Sequence, residues 1–197
     1  VLQPGESERY ARYEAATGTE SLYVHCQRAL TKGATLGVHS LPLMGAGDWN
    51  DGMNRVGAGG RGESTWLSWF LCTTLKRFAP LAELMMDDPA SYLQQAEQYA
   101  RALEAHAWDG EWYLRAFYDD GSPLGSRENK ECQIDSIPQS WAVLSGAADP
   151  ERAAKAMESV HARLVKPADQ MILLFTPPFD KSIHDPGYIK GYPPGIR

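Results

Sequence analysis

The densest group of chemically capable side chains is the segment GAGDWNDGMN, Gly45–Asn54. It carries two carboxylates (Asp48, Asp51), an indole (Trp49) and two amides (Asn50, Asn54), between glycines that permit backbone shapes closed to other residues. A calcium loop of the EF-hand kind needs a glycine at its sixth position and a glutamate at its twelfth. Counted from Asp48, Gly52 is fifth and Gly59 twelfth, so that chemistry fails. A second pattern, GAGGRG at Gly57–Gly62, matches the G-x-G-x-x-G of dinucleotide sites and precedes a predicted helix. No apolar strand leads into it, so the context that would give the match meaning is missing. There is no G-K-[ST] phosphate loop.

Sugar chemistry suits the segment better. Cleaving a glycosidic bond requires an acid to protonate the leaving oxygen and a nucleophile at the anomeric carbon. An indole offers an apolar plane for the C–H face of a sugar, and carboxylates and amides bind its hydroxyls. Asp48 and Asp51 are three residues apart in an irregular stretch, so they are expected to point in different directions and not to form a catalytic pair. One is the candidate acid, and the other fixes the loop through hydrogen bonds. Arg55 and Arg61 could reach a phosphate or a hydroxyl, although paired loop arginines more often hold carboxylates. Trp66 and Trp69 read as core; packing is the default for Trp108, Trp112, Tyr113 and Gln139. Glu63 is either a helix-start acid or a sugar ligand, with the cap favoured.

These residues lie in a long irregular segment, Val38–Gly62, and loops of that length inside a compact domain are usually functional. Helical spacing places a helix before it, over Ser21–Leu36, ending near Gly33 or Gly37. Another follows at Ser64–Leu84, with Trp66, Phe70, Leu71, Leu75 and Phe78 inward and Pro80 expected to kink or end it. Asp88-Pro89 and Asp149-Pro150 each pair a capping residue with proline at the first helical position, opening helices that run to about His106 and Leu164. A short helix is expected over Pro138–Leu144, stopping at Gly146. Trp112–Tyr118 reads as a strand entering the turn Asp119-Asp120-Gly121, and Met171–Phe175 as a short apolar strand. The Pro-, Gly- and Tyr-rich tail from Thr176 has no predicted regular element. Five helices with a little β give a mainly α class.

Composition narrows the partners. At 43% hydrophobic and 22% charged, the 197 residues can bury a sizeable core. With 19 basic and 25 acidic residues and no basic run, binding to a nucleic-acid backbone is excluded. No apolar run reaches the length of a membrane span, and Val1–Tyr10 lacks a signal peptide's layout. Cys26, Cys72 and Cys132 are far apart and odd in number, which predicts three separate, at least partly buried thiols in a reducing compartment. The five histidines form no metal spacing, and no metal or cofactor is expected.

The stretch GVHSLPLMGAGDWNDGMNRVGAGGRGESTWLSWFL resembles the catalytic loop and following helix of glycoside hydrolase family 94, the inverting disaccharide and oligosaccharide phosphorylases. Its NRVG…GRGES continuation is similar to the phosphorylase-like C-terminal domain of cyclic β-1,2-glucan synthases. Trp108–Ser126, Ile134–Gly146 and Gly187–Arg197 carry the likeness along nearly the whole chain.

The resemblance implies an (α/α)6 barrel with Asp51 as general acid. It also implies Trp49 in the subsite of the transferred sugar and Asn54 toward the acceptor subsite; Asp48 and Arg61 are expected, on the residues alone, as further substrate contacts. Inorganic phosphate, as co-substrate, would attack a β-glucan oligosaccharide from the opposite face and give α-glucose 1-phosphate. Two rivals stay open: an inverting hydrolase on the same scaffold, and a non-catalytic glycan-binding module. Twelve helices make such a barrel and five are expected here; Val1 is not a methionine and Arg197 falls in mid-motif. The chain is therefore expected to be a fragment (1–197) of one catalytic domain, inactive alone and prone to self-association. Its expected location is cytoplasmic, either free or as the cytosolic part of a bacterial inner-membrane protein.

Overall fold

The computed structural model describes Arg12 and residues 18–193. The readings made on Val1–Tyr10 and on the motif end at Pro194–Arg197 lie outside the described residues. The chain forms two compact units, 1–32 and 33–197. Helix α1 (Leu22–Gly33), all but its last residue in the first unit, opens where Ser21 Oγ accepts from Val24 N (3.3 Å), and none of its residues is buried.

In the second unit, each helix starts where a side chain satisfies amide groups that the first turn leaves without partners. Ser64 caps α2 (Thr65–Leu84), Asp88 caps α3 (Pro89–His106), Asp135 caps α4 (Ser136–Ser145) and Asp149 caps α5 (Pro150–Leu164). Helix α4 thus begins two residues earlier than expected, because Asp135 Oδ1 accepts from Ile137 N (2.8 Å). It ends as expected, with Gly146 in the left-handed conformation. Helix α2 packs against α3 and α4, and α4 against α5, giving a mainly α architecture.

Pro80 does not end α2, which continues to Leu84. The buried face of α2 is Trp69, Leu71, Cys72, Leu75, Phe78, Ala79 and Ala82. Trp66 and Phe70 are corrected to a partly exposed aromatic group that they form with Trp141. The three thiols are free; Cys72 and Cys132 are buried, and burial pushes the Cys72 thiol up to about 12.

The short strands carry the loops. Strands β1 (Glu63–Ser64), β2 (Ala116–Phe117) and β3 (Pro123–Leu124) form an antiparallel sheet in that order, with Ser64 opposite Ala116 and Ala116 opposite Leu124. Strand β4 (Ile134–Asp135) pairs with β7 (Phe175–Thr176), and β5 (Val165–Lys166) with β6 (Met171–Ile172). The single strand expected over Met171–Phe175 is therefore two, serving different partners. The tail is also more ordered than expected, since Tyr188–Gly191 forms a 3₁₀ turn. Beneath the long loop lies a core of its own, in which Met44, Met53 and Val56 cluster with Tyr118, Leu124, Phe175 and Ile189.

Gly121 and Gly125 share a φ of +84°, yet a Cβ on Gly121 would meet nothing within 4 Å while one on Gly125 would lie 2.5 Å from Arg115 N. Alanine at Gly121 should therefore cost only the left-handed penalty of about 1–2 kcal/mol. Alanine at Gly125 should cost at least twice that, read as urea-unfolding midpoints. Equal costs would mean that the Gly125 backbone can move away from Arg115.

Candidate active site

The loop is anchored by a charge that the strand region supplies. Arg115 is completely buried. Its guanidinium grips Asp48 with both prongs: Nη1 donates to Oδ2 (2.7 Å) and Nη2 to Oδ1 (2.5 Å). Ser64 Oγ donates to Asp48 Oδ2 (2.5 Å) while accepting from Leu67 N (3.0 Å), so the cap of α2 and the loop share one hydroxyl. Asn50 N completes the set on Asp48 Oδ1 (3.1 Å). Burial pushes the Asp48 carboxyl up, but the charge and hydrogen bonds of Arg115, with those of Ser64 and Asn50, hold it below the usual carboxylate value. With its side chain 1% exposed, Asp48 faces the protein. It does not line the cavity described below.

Asp135 shares the same cation less well. Arg115 Nε lies 3.3 Å from Asp135 Oδ2, an ion-pair contact without hydrogen-bond geometry. Burial, together with the charge of Asp48, pushes Asp135 up to about 6 despite Arg115 and the Ile137 N–H. One guanidinium serves two carboxylates, and its fork is spent on Asp48.

Past this anchor the loop turns outward. Asn50 Oδ1 accepts from Gly52 N (3.0 Å) and caps a 3₁₀ turn, Asp51–Met53. Asp51, at the head of that turn, is exposed, and its side chain makes no hydrogen bond or ion pair among the described residues. Trp49 beside it is 53% exposed, an unusual state for so large an apolar ring. Both line an open cavity of about 790 Å³ whose other walls include Leu174, Phe175, Tyr188 and Tyr192. A cavity of this size with an apolar wall and few polar groups is the usual form of a ligand site.

The remaining expected contacts are placed elsewhere. Asn54 Oδ1 accepts from Tyr188 N (3.1 Å), and Asn54 lines a neighbouring recess rather than the cavity. Only glycine fits opposite it: Gly187 has φ +118°, and a Cβ there would come within 2.1 Å of Asn54 Oδ1. Arg61 does not line the cavity. The N–H groups of Gly59, Arg61 and Gly62 all donate to the Asp119 carboxylate (2.6–2.9 Å). The G-x-G-x-x-G match thus cradles an anion from its own chain. Glu63 is neither cap nor sugar ligand. Its buried carboxylate accepts from His39 N (2.9 Å) and Leu41 N (3.2 Å) and meets His39 Nδ1 at 2.5 Å, tying down the loop's entry.

Trp112 and Gln139 are buried framework: Trp112 Nε1 donates to Gly125 O (2.8 Å), and Gln139 bonds both the N–H and the carbonyl of Tyr113. Among the described residues, no group of three or more His, Cys, Asp or Glu side chains is arranged to hold a metal ion. Sequence reasoning missed Arg115 and Asp135. The signal for Arg115 was a single charge inside the apolar run WYLRAFY, which must find a carboxylate if the run is buried.

A buried clamp thus presents a free carboxylate and an indole to an open cavity. The chain belongs to the Glycosyl hydrolase 94 superfamily, whose catalytic domain it matches over residues 1–197. It is 48% identical over 200 residues to the cyclic beta-(1,2)-glucan synthase NdvB of Rhizobium meliloti (strain 1021), covering all of this chain and 7% of that protein. It is 39% identical over 164 residues to the solabiose phosphorylase of Paenibacillus borealis, covering 82% of this chain and 21% of the relative. An N,N'-diacetylchitobiose phosphorylase of Vibrio proteolyticus is 29% identical, over the whole chain and 25% of its own length. The chain thus spans a quarter or less of each of these relatives. No helix among the described residues is long and apolar enough to cross a membrane.

The unequal sharing of Arg115 has a pH signature. Asp135 binds its proton more tightly folded (about 6) than unfolded (near 3.9). The stability it contributes is therefore fully present below about pH 4 and lost as pH rises through about 6. Asp135→Asn keeps the cap acceptor and cannot ionise. Its stability relative to the parent should improve by on the order of 2–3 kcal/mol between pH 4 and pH 7, in urea titrations across that range. A relative stability that falls with rising pH would show Asp135 to be the better-served partner.

Proposed function

We propose that this chain is a segment of an inverting glycoside phosphorylase domain acting on β-glucan, of the kind present in cyclic β-1,2-glucan synthases. The exposed, unpartnered carboxylate of Asp51 beside the exposed Trp49, at the mouth of the 790 Å³ cavity, carries the reading. Asp51 is the general acid, Trp49 the platform for the transferred glucosyl unit, and Asp48 a positioning residue. An oxygen of inorganic phosphate bonds to the anomeric carbon from the face opposite the leaving group as the glycosidic C–O bond breaks. The electron pair of that bond goes to the leaving oxygen, which takes the proton from Asp51. The products are α-glucose 1-phosphate and a glucan shortened by one unit.

Phosphate is already an anion, so no second carboxylate is needed to activate a water. That agrees with one free acid beside two carboxylates, Asp48 and Asp135, that Arg115 engages. The lengths of the relatives support placing these helices in a larger (α/α)6 barrel that supplies further sugar and phosphate contacts. The exposed apolar side chains Leu84, Met86 and Leu144 are then covered by its other helices, so the 197 residues alone self-associate and do not turn over. The setting is the cytoplasm, or the cytosolic side of an inner-membrane protein.

In the full-length protein, Asp51→Asn should lose roughly 10²–10⁴-fold on a natural glucan, the usual worth of positioned acid catalysis. A donor with a dinitrophenolate leaving group needs no proton and should recover most of that loss. Asp48→Asn should slow both donors alike, because it displaces Asp51 and Trp49 together. Rescue of Asp48→Asn and not of Asp51→Asn would assign the acid to the wrong residue. Trp49→Ala should cost on the order of 1–3 kcal/mol in glycan affinity, and unchanged kcat and KM would make Trp49 packing and not platform.

A further inference from the structure

The sequence holds three Asp-Gly pairs, Asp51-Gly52, Asp109-Gly110 and Asp120-Gly121. At such a pair the chain can rearrange without an enzyme, because glycine has no side chain to shield its amide from the aspartyl carboxyl. At Asp51 the step would run as follows in atoms. Gly52 N bonds to Asp51 Cγ, and the hydroxyl of the protonated carboxyl leaves with the amide proton as water. A second water adds to the backbone carbonyl carbon of Asp51 in the resulting ring and breaks its bond to Gly52 N. The chain then runs through the former side chain, and the free carboxylate sits directly on Cα. One water leaves and one enters, so the product is an isomer.

The three pairs are held differently. Asp109 Oδ2 accepts from Ser126 Oγ (3.2 Å) and Arg127 N (2.7 Å). Asp120 Oδ1 accepts from Ser122 N (2.9 Å) and Ser122 Oγ (2.5 Å), and Gly121 N donates to Tyr118 O (2.9 Å). The Asp51 carboxylate has no partner among the described residues, so nothing on the acid side restrains it. The restraint lies on the amide side. Gly52 is buried, and its N–H donates to Asn50 Oδ1 (3.0 Å). A larger residue could not replace it, since a Cβ there would lie 2.9 Å from Ile189 Cβ and 3.0 Å from Asn50 Oδ1. Asn50 is itself anchored, because its N–H donates to Asp48 Oδ1 (3.1 Å), the oxygen that Arg115 Nη2 grips.

We propose that Asp51-Gly52 is the site of spontaneous aspartate isomerisation in this chain, and that Asn50 is a positioning residue that suppresses it by holding the Gly52 amide. A loop that leaves a carboxyl free beside an obligatory glycine needs that amide occupied. The buried clamp then has a second effect: through Asp48 and Asn50 it keeps the Asp51 linkage intact. On the reading of Asp51 as general acid, each isomerised molecule is inactive; the isomerisation itself does not depend on that reading.

The test ages the full-length protein at mildly acidic pH and reads the isoaspartyl fraction at each pair by peptide mapping with electron-transfer fragmentation. In the parent, isoaspartate should appear at Asp51 before Asp109 or Asp120. Asn50→Ala should raise the rate at Asp51 about fivefold, the gain in open amide expected from losing such a cap, and leave the other two pairs unchanged. Asn50→Asp, which keeps the acceptor, should stay near the parent. The proposal is overturned if Asp109 or Asp120 leads in the parent, if Asn50→Ala leaves Asp51 unchanged, or if Asn50→Asp accelerates it equally. A parallel rise at all three pairs in Asn50→Ala would also overturn it, since general unfolding would then be the cause. Failure of the phosphorylase reading appears separately, as absence of sugar 1-phosphate from the fresh parent.

Discussion

Everything at the candidate site depends on one buried positive charge. Arg115 has no access to solvent, so its charge is tolerable only because Asp48 meets it in bidentate geometry. That requirement runs in three directions at once. Through Asp48 it fixes the residue just before Trp49. The hydroxyl of Ser64, hydrogen-bonded to Asp48, ties the loop to the start of α2, and the contact with Asp135 reaches the start of α4. Two helix N-termini and the acid loop are thereby referenced to a single guanidinium, itself held on the chain by the close approach of Gly125.

The rest of the loop repeats the device with backbone amides in place of arginine. Glu63 collects the N–H groups of His39 and Leu41 at the entry, and Asp119 collects those of Gly59, Arg61 and Gly62 at the exit. A loop this long needs partners for many amide groups, and internal carboxylates supply them. Asp51 is spared such duty, which leaves its carboxylate exposed and without a partner among the described residues. The Gly187–Gly191 turn, seated on Asn54, closes one side of the cavity without touching that carboxylate.

The helices were legible because their signals are local. Asp-Pro pairs, a serine cap and a terminal glycine act over one turn, and all of them stand where expected. The candidate acid and indole were legible because two carboxylates and a tryptophan between glycines are hard to explain by packing alone. What escaped was non-local. Asp48 is separated by 67 residues from Arg115, and Gly59 by 60 from Asp119, so no spacing rule reveals either pairing. Glu63 sits directly before a helix and looks like a cap acid, yet its strand pairing turns the side chain inward to His39. Pro80 was expected to kink or end α2, but the helix runs past it to Leu84, with Phe78, Ala79 and Ala82 buried around it. Tertiary packing overrode a local propensity there.

The claim that Arg115 holds the acid loop through Asp48, leaving Asp51 free, is tested most directly by a double-mutant cycle on stability. Asp48→Asn and Arg115→Lys each break the fork, so once one is present the other has little left to remove. The account predicts that the double variant is less destabilised than the sum of the singles by at least about 2 kcal/mol. It also predicts that Asp51→Asn combined with Arg115→Lys is additive. Additivity within about 0.5 kcal/mol for the Asp48–Arg115 pair would contradict the account.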